Sequence, residues 1–261
     1  MNIGAARSFL FVPGDRPDRF AKAEASGADA VVLDLEDAVA PADKARAREH
    51  VRAWIAAGHE AVVRINAPGT PWFAKDVALG ARVIMVPKAE DPEKLRRLPA
   101  WTGLIPLLET AAGIANATAL CAVPSVLRPA FGSVDLAAQL GVDHRSHPAL
   151  RHARSAVVLA AATAERPAPI DGVTTALDDA GVLAADLDEA RTLGFGAKLC
   201  IHPRQVAGVH RAFAPSDAEV AWAREVLDVA AGGSVAVHHG EMVDRPVVLR
   251  AEAVLARAAA R

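Results

Sequence analysis

Two carboxylates, Glu109 and Asp135, follow two successive apolar runs of the sequence, at 104–108 and 127–131. If these runs are neighbouring parallel strands, about 4.8 Å apart, their end groups can converge on one ion. Carboxylates without His or Cys suit a hard cation, and Mg²⁺ fits best because it keeps waters and takes one or two protein carboxylates. The alternative is that each acid caps a helix or lies in its first turn, where it interacts favourably with the helix dipole.

Arg64 lies inside a third apolar run, VVRIN at 62–66. A charge within a buried strand is unfavourable unless it is paired or used to bind an anion. Arg64 is therefore a candidate to clamp a carboxylate or to stabilise an enolate oxygen. The alternative is an internal ion pair with Glu36, Asp37 or Glu109, and the two interpretations are compatible.

Three further basic residues lie near predicted strand ends. Lys88 can form a Schiff base if burial lowers its pKa, but a solvated lysine paired with Glu90 or Glu93 is the favoured interpretation. Arg16 and Lys22 follow the first run, in and after PGDRP at 13–17, where they can meet phosphates at a helix N-terminus.

Histidine and cysteine also bind metals in proteins, but here they give a weaker indication of a metal site. His144, His147 and His152 lack the spacing of a metal site on one helix face, so a surface loop is favoured. His202 precedes a proline and is expected to open a helix. Cys200 is expected to lie in the core.

The elements that position these residues are indicated by a regular alternation of short apolar runs with Ala-rich helical stretches. Runs of this length suit strands buried on both faces of a parallel sheet. Eight alternations predict an α/β fold, a TIM (β/α)₈ barrel, whose chemistry lies at the carboxyl ends of the strands. A doubly wound open sheet is the alternative. The predicted strands are 7–12, 30–35, 61–65, 82–86, 104–108, 127–131, 168–170 and 197–200.

The pattern changes after the eighth strand. We predict a barrel over residues 1–212 and a C-terminal helical extension over 213–261, a tail that can contact a neighbouring subunit. The features predicted after the eighth strand are helices at 203–212, 216–229 and 246–260, with a Gly-Gly turn at 232–233 and a short extended piece before the last helix.

Composition narrows the class of protein. The 261 residues carry a formal net charge of −2 and contain no long basic run, so nucleic-acid or anionic-membrane binding is not expected. No apolar stretch is long enough to span a membrane, and no signal peptide is evident. Two cysteines without a CxxC motif fit a reducing interior, and we expect a cytoplasmic protein.

Eight short motifs occur in an order that resembles the citrate lyase beta-subunit-like proteins, the CitE-like branch of the metal-dependent aldolase family. Any one of them is weak, but together they cover almost the whole chain. They are RSFLFVPGDRP at 7–17, DAVVLDLEDAV at 29–39, VVRIN at 62–66, VPKAE at 86–90, LLET at 107–110, FGSVDLA at 131–137, GFGAKLCIHPRQV at 194–206 and GEMVDRPV at 240–247.

This resemblance implies a TIM barrel with a C-terminal extension, commonly trimeric, that cleaves or forms C–C bonds in β-hydroxyacyl thioesters. It implies that Glu109 and Asp135 hold Mg²⁺ and that Arg64 binds the substrate beside the metal, supported by Glu36 and Asp37. In related malyl-CoA and citramalyl-CoA lyases, an aspartate in a Met-hydrophobic-Asp-x-Pro motif reaches a neighbouring subunit's site. The motif MVDRP at 242–246 places Asp244 at that position.

The resemblance predicts a freestanding Mg²⁺-dependent lyase acting on malyl-, citramalyl- or citryl-CoA. Its partners would be an acyl-CoA substrate, a 2-oxo acid product and other copies of the chain. The alternatives are a metal-dependent aldolase for free hydroxy-oxo-acids, a phosphoenolpyruvate-type enzyme, and a catalytically silent subunit. The silent subunit is disfavoured because Arg64, Glu109 and Asp135 are all present.

Overall fold

The computed structural model describes residues 1–231, 236–238 and 241–259, with only the backbone described at 236–238 and 241. The predicted Gly-Gly turn at 232–233 therefore lies outside the described residues. The chain divides into two compact units, Met1–His210 and Arg211–Arg261.

Eight parallel strands of the first unit close into a barrel in sequence order, with helices between them, which confirms the predicted TIM barrel. Closure is made by β1 and β8, where Phe9 pairs with Leu199. The strands are β1 (Ser8–Pro13), β2 (Ala30–Asp34), β3 (Val62–Arg64), β4 (Val83–Val86), β5 (Gly103–Leu108), β6 (Ala130–Phe131), β7 (Ile170–Asp171) and β8 (Ala197–Cys200).

Alternate residues of the strands fill the barrel interior, because successive side chains of a strand point to opposite faces. Phe9, Val32 and Val62 belong to one buried apolar cluster drawn from all eight strands. Two residues further along each of those strands, the same face carries Phe11, Asp34 and Arg64. The polar residues therefore begin where the apolar interior ends, at the carboxyl end of the barrel.

The N-terminal segment closes the opposite end of the barrel. Ile3 and Ala6 are buried in the interior cluster. The buried guanidinium of Arg128 holds this segment by donating to the Ile3 carbonyl at 3.2 Å and the Ala6 carbonyl at 2.6 Å, and it also donates to the Ala168 carbonyl.

The sixth and seventh strands are shorter than predicted. Leu127 donates to the Leu104 carbonyl at 2.9 Å, but regular pairing starts only at Ala130. Pro129 lies between them and cannot donate to the ladder. Pro169 precedes β7 in the same way.

Helices lie between the strands as predicted, but some predicted helices are divided into shorter ones. The stretch after β5 is two short helices, because Asn116 leaves helical geometry and donates its side-chain amide to the Glu90 carbonyl at 2.9 Å. The barrel helices are α1 (Phe20–Glu24), α2 (Lys44–Ala56), α3 (Phe73–Val77), α4 (Pro92–Arg96), α5 (Ala111–Ala115), α6 (Ala117–Cys121), α7 (Ser133–Leu140), α8 (His147–Thr163), α9 (Ala180–Leu193) and α10 (Val206–Phe213). No helix in the described part of the chain is long and apolar enough to cross a membrane.

The second unit is built on two packed helices, α11 (Asp217–Ala230) and α12 (Arg245–Ala259). Ala223 and Val226 of α11 pack with Ala251 and Val254 of α12. Between the helices, where the sequence predicts one short extended piece, lies an antiparallel pair, β9 (Ala236–His238) with β10 (Glu241–Val243).

Candidate active site

Arg64 is held in place by a two-point ion pair with Asp34. Its Nε and Nη2 atoms donate to the two oxygens of Asp34 at 2.7 and 2.6 Å, and the two residues are partners in the β2–β3 register. The ring of Phe11 lies 4.7 Å from the guanidinium carbon, a favourable cation–π contact. Burial lowers the pKa of Arg64, but the Asp34 carboxylate outweighs burial and raises it, so the guanidinium stays charged.

Glu36 and Lys88 extend the ion-pair network around Arg64. Arg64 Nη1 lies 3.2 Å from Glu36 Oε2 and 3.8 Å from Asp37 Oδ2, and Lys88 Nζ donates to Glu36 Oε1 at 2.6 Å. The Arg64 contact lacks hydrogen-bond alignment, so buried Glu36 Oε2 has no hydrogen-bond partner among the described residues. Burial raises the pKa of Glu36, although Arg64 and Lys88 oppose the rise.

Lys88 corrects the expectation of a pairing with Glu90 or Glu93, since its partner is Glu36. Burial lowers the pKa of Lys88, but the hydrogen bond to Glu36 and the negative charges of Glu36, Glu109 and Asp37 together outweigh burial and raise it. A Schiff-base lysine needs the opposite shift, so this pairing argues against that chemistry.

Glu109 is buried at the carboxyl end of β5. Its Oε1 accepts the backbone N–H of Lys88 at 2.9 Å, and Lys88 presents that N–H from a left-handed backbone with φ of 48°. Gly132 makes room for the carboxylate, because a Cβ atom there would lie 2.7 Å from Glu109 Oε2. Burial, and then the negative charges of Glu36 and Asp135, raise the pKa of Glu109 to about 8.

Asp135 lies in the first turn of α7, whose N-cap is Gly132, so Asp135 is a first-turn acid, as the alternative allowed, and not the N-cap. Burial is the main cause of the raised pKa of Glu109, and the negative charges of Glu36 and Asp135 add to it. A cation placed between Glu109 and Asp135 would relieve the repulsion, and two carboxylates with water and substrate oxygens are a donor set that Mg²⁺ accepts. Across the described residues no group of three or more His, Cys, Asp or Glu could hold a metal, so the protein would supply only this pair.

A layer of buried polar residues outside the barrel fixes the ends of β2 and β3. Lys44 of α2 donates to the Leu35 and Glu36 carbonyls, both at 2.9 Å. Asp76 of α3 accepts from the Asn66 side chain at 2.6 Å and from Arg48 at 2.7 Å. The loop that carries Glu36 and the strand that carries Arg64 are thereby fixed from behind.

Comparison with known proteins shows the family to which this chain belongs. A model of the HpcH/HpaI aldolase/citrate lyase family matches residues 7–203. The chain belongs to this family. A citrate lyase subunit beta-like protein of Mycobacterium tuberculosis is 40% identical over 99% of this chain and 98% of its own length. The predicted family and the enzyme class, a lyase, are confirmed.

Other members of the family are named for CoA esters. A (3S)-malyl-CoA thioesterase and an L-malyl-CoA/β-methylmalyl-CoA lyase of Cereibacter sphaeroides are 33% and 34% identical over 97% of this chain, and over 95% and 94% of their own lengths. The structure of CitE from M. tuberculosis in complex with magnesium, acetoacetate and coenzyme A has a TM-score of 0.88 and 37% identity, covering 98% of this chain and 100% of that one. Magnesium in that structure confirms the cofactor predicted for the family.

Three further residues, Arg16, Lys22 and Asp244, are predicted from the sequence to bind substrate or to act in catalysis. Arg16 is half-exposed and makes a two-point pair with Asp18 at 2.9 and 3.0 Å, and Lys22 is exposed on α1. Asp244 belongs to the second unit, where its carboxylate accepts the Val247 N–H at 3.4 Å at the start of α12. The roles of these three residues stay predictions.

His147 and His152 lie in α8, so the surface loop predicted for the cluster of His144, His147 and His152 is wrong for these two residues. His147 Nε2 lies 2.8 Å from Asp186 and His144 Nε2 lies 3.0 Å from Thr175. His202 caps the turn after β8 by accepting the Arg204 N–H at 3.1 Å, as expected of a helix-opening residue. Cys200 is buried in the core as predicted.

Two residues that hold the site in place, Asp34 and Lys44, are not among the predicted site residues. Apart from Arg64, the predicted residues follow the apolar runs, whereas Asp34 lies inside its run and Lys44 lies in a helix. Asp34 interrupts its run in VVLDLED as Arg64 does in VVRIN, so the same signal applies to both. The signal for Lys44 is weaker, because a lysine in the first turn of a helix looks solvent-exposed in sequence.

Proposed function

We propose that the chain is a Mg²⁺-dependent carbon–carbon lyase that cleaves or forms a β-hydroxyacyl-CoA thioester, such as malyl-, citramalyl- or citryl-CoA. The observation that carries the proposal is the charge-paired Arg64, fixed by Asp34 beside the carboxylates of Glu36 and Glu109. A guanidinium held in this way can stabilise negative charge that develops on a substrate oxygen.

Each of the site residues has a separate role in the proposed reaction. Glu109 and Asp135 would hold Mg²⁺, which when bound acts as a Lewis acid on substrate oxygens. Cleavage removes the proton of the substrate hydroxyl, breaks the C–C bond and leaves a 2-oxo acid and a thioester enolate. Arg64 would stabilise the oxygen charge of that step. Protonation of the enolate carbon by Asp244 of a neighbouring subunit completes an acyl-CoA, and the reverse sequence gives condensation.

The remaining parts of the proposal concern assembly and the CoA moiety. Arg16 and Lys22 follow β1 at the carboxyl end of the barrel and would meet CoA phosphates. A cytoplasmic homotrimer would place Asp244 at a neighbour's site.

The decisive experiment is a panel of hydroxyacyl-CoA esters assayed with Mg²⁺, with separate detection of the 2-oxo acid, the acyl-CoA and free CoA. Stoichiometric 2-oxo acid and acyl-CoA from one ester, abolished by EDTA and restored by Mg²⁺, is the expected result. Free CoA without 2-oxo acid would indicate thioester hydrolysis and contradict the proposal. Cleavage of the corresponding free hydroxy acids at equal rates would favour a CoA-independent aldolase. Inactivation by borohydride with substrate in EDTA would move the chemistry to Lys88.

A further inference from the structure

The carboxyl end of the barrel has a polar side and an apolar side. Charged groups come from β2 to β5 and from α7, namely Asp34, Glu36, Arg64, Lys88, Glu109 and Asp135. Among the apolar residues next to these groups, Phe11 of β1 and Val173, two residues after β7, are only partly buried, whereas Leu199 of β8 lies deeper, in register with Phe9. A small ligand at this end therefore has charged groups on one side and hydrocarbon on the other.

Val173 is the apolar residue of this side that remains available to a ligand. It packs against the interior apolar cluster and is only partly buried. Leu199 is 3% exposed, and the ring of Phe11 is already in contact with Arg64. The open surface of Val173 therefore lies above the interior cluster, at the end of the barrel where the charged groups lie.

The backbone around Val173 is fixed on both sides. The Thr174 carbonyl accepts from Gln205 Nε2 at 2.8 Å, and the Thr174 hydroxyl donates to Asp186, which also pairs with His147. Gly172 packs so tightly on α7 that a Cβ atom would lie 2.8 Å from Ser133 Oγ. Such a position can discriminate between ligands by size, because it cannot move away from a larger group.

We propose that Val173 is a specificity-determining residue that contacts the alkyl substituent of the 2-oxo acid half of the substrate. This inference rests on the proposed lyase function and deepens it. A 2-oxo acid whose carboxylate and oxo oxygens face Arg64 and a Mg²⁺ ion held by Glu109 and Asp135 would turn its remaining carbon substituent towards the apolar side. The substrate class is then one that releases an alkyl-bearing oxo acid, such as pyruvate, in preference to glyoxylate.

The test is calorimetric binding of glyoxylate, pyruvate and 2-oxobutyrate to the full-length protein with Mg²⁺, without any CoA ester. Val173→Leu should lower the affinity for pyruvate relative to glyoxylate by about tenfold, since one methylene in an apolar pocket discriminates by about that factor or more. Val173→Ala should shift the preference from pyruvate towards 2-oxobutyrate. Val142→Leu is the matched control, because Val142 is exposed beyond the end of α7; it should leave all ratios unchanged.

The possible failures are distinguishable. If the wild type binds 2-oxo acids but both Val173 variants keep its ratios, Val173 does not set specificity while the lyase proposal stands. A separate titration with acetyl-CoA tests the other half of the substrate: variants that change this affinity without changing the oxo-acid ratios would assign Val173 to the thioester side and overturn the inference. A wild type that binds none of the three acids with Mg²⁺ would overturn the lyase proposal as well. Unchanged thermal unfolding midpoints of the variants exclude misfolding as the cause.

Discussion

At the scale of single residues, the site consists of common side chains whose properties are set by their neighbours. Arg64 keeps its charge in a buried position because Asp34 lies against it in the strand register. The Glu109 carboxylate instead accepts a hydrogen bond from the neutral backbone N–H of Lys88. Burial disfavours the charged form of both residues, but the neighbouring carboxylates oppose it at Arg64, whereas the charges of Glu36 and Asp135 add to it at Glu109.

Replacing Arg64 with lysine should impair catalysis although the charge is kept. Lysine is a point charge and cannot make the two parallel hydrogen bonds that orient the group on Asp34. We expect kcat to fall about 10²–10³-fold, as for loss of an oriented oxyanion donor, with Mg²⁺ affinity little changed. Steady-state kinetics and metal titration measure both. Arg46→Lys, at an exposed i,i+3 pair of α2, is the control. Near-normal kcat in Arg64→Lys would leave Arg64 a purely structural role.

Gly132→Ala should weaken metal binding. The added methyl would lie 2.7 Å from Glu109 Oε2 and in contact with Glu109 Cβ, so the carboxylate must move. We expect Mg²⁺ affinity to fall at least about tenfold, comparable to the loss of a supporting contact at a metal site, as read by titration calorimetry. Gly4→Ala meets only an ordinary contact of 3.4 Å and should bind like the wild type. Equal affinities in the two variants would mean that Glu109 does not hold the ion.

The raised pKa of Glu109 predicts a pH dependence of the metal-free protein. Between the ordinary value of 4.5 and about 8, the folded protein keeps the Glu109 proton while the unfolded chain releases it. The free energy of unfolding in EDTA should therefore decrease as pH rises through this window, by on the order of 1 kcal/mol or more. Urea unfolding at several pH values measures it. Glu109→Gln should flatten the slope, and an unchanged slope would show that Glu109 ionises normally.

At the scale of elements, each end of the barrel is completed by a segment outside the strands. At the amino end, Arg128 joins the N-terminal segment to the stretch before β7 through backbone carbonyls alone. Burial lowers the pKa of Arg128 to about 10. At the carboxyl end, Lys44 of α2 plays the corresponding part by holding the carbonyls of Leu35 and Glu36. Arg128 and Lys44 thus each hold in place a segment that has no regular secondary structure of its own.

Arg128→Met should release the N-terminal segment. The carbonyls of Ile3, Ala6 and Ala168 would lose their donors while remaining near the barrel end. Because unsatisfied buried acceptors cost about 1–3 kcal/mol each when water cannot reach them, we expect a loss of about 3 kcal/mol in unfolding free energy. Urea unfolding and proteolysis at the N-terminus measure the effect. The exposed Arg97→Met should change neither, and an equally stable Arg128→Met would show that Ile3 and Ala6 hold the segment by packing alone.

At the scale of the whole molecule, the proposed function divides catalysis between the barrel and the C-terminal unit. The barrel carries Arg64 and the proposed metal pair, whereas Asp244 begins α12 of the other unit. Its carboxylate caps that helix, so removal of the whole side chain would destabilise the tail as well as remove a proton donor. Asparagine caps a helix as well as aspartate does but cannot transfer a proton, and it separates the two roles.

We therefore expect Asp244→Asn to fold normally and to lose about 10²–10⁴-fold in rate, the range for general acid–base groups. Co-assembly with inactive Glu109→Ala subunits should restore part of the activity, since some sites combine an intact metal pair with a neighbour's intact Asp244. The assay is activity after refolding the two variants together, with each refolded alone as the control. No recovery from mixed oligomers, or a fully active monomer, would exclude action across an interface.

The sequence by itself determined the eightfold alternation, the barrel and the end at which Arg64, Glu109 and Asp135 lie, because apolar periodicity and strand polarity are local properties of the chain. Only the tertiary structure decided that Asp34 is the partner of Arg64 and that Lys88 turns its N–H to Glu109 and its ammonium to Glu36. Such pairings depend on strand register and on backbone conformation imposed by residues distant in sequence. For the same reason the break at Pro129 and the β9–β10 pair appeared only in the fold.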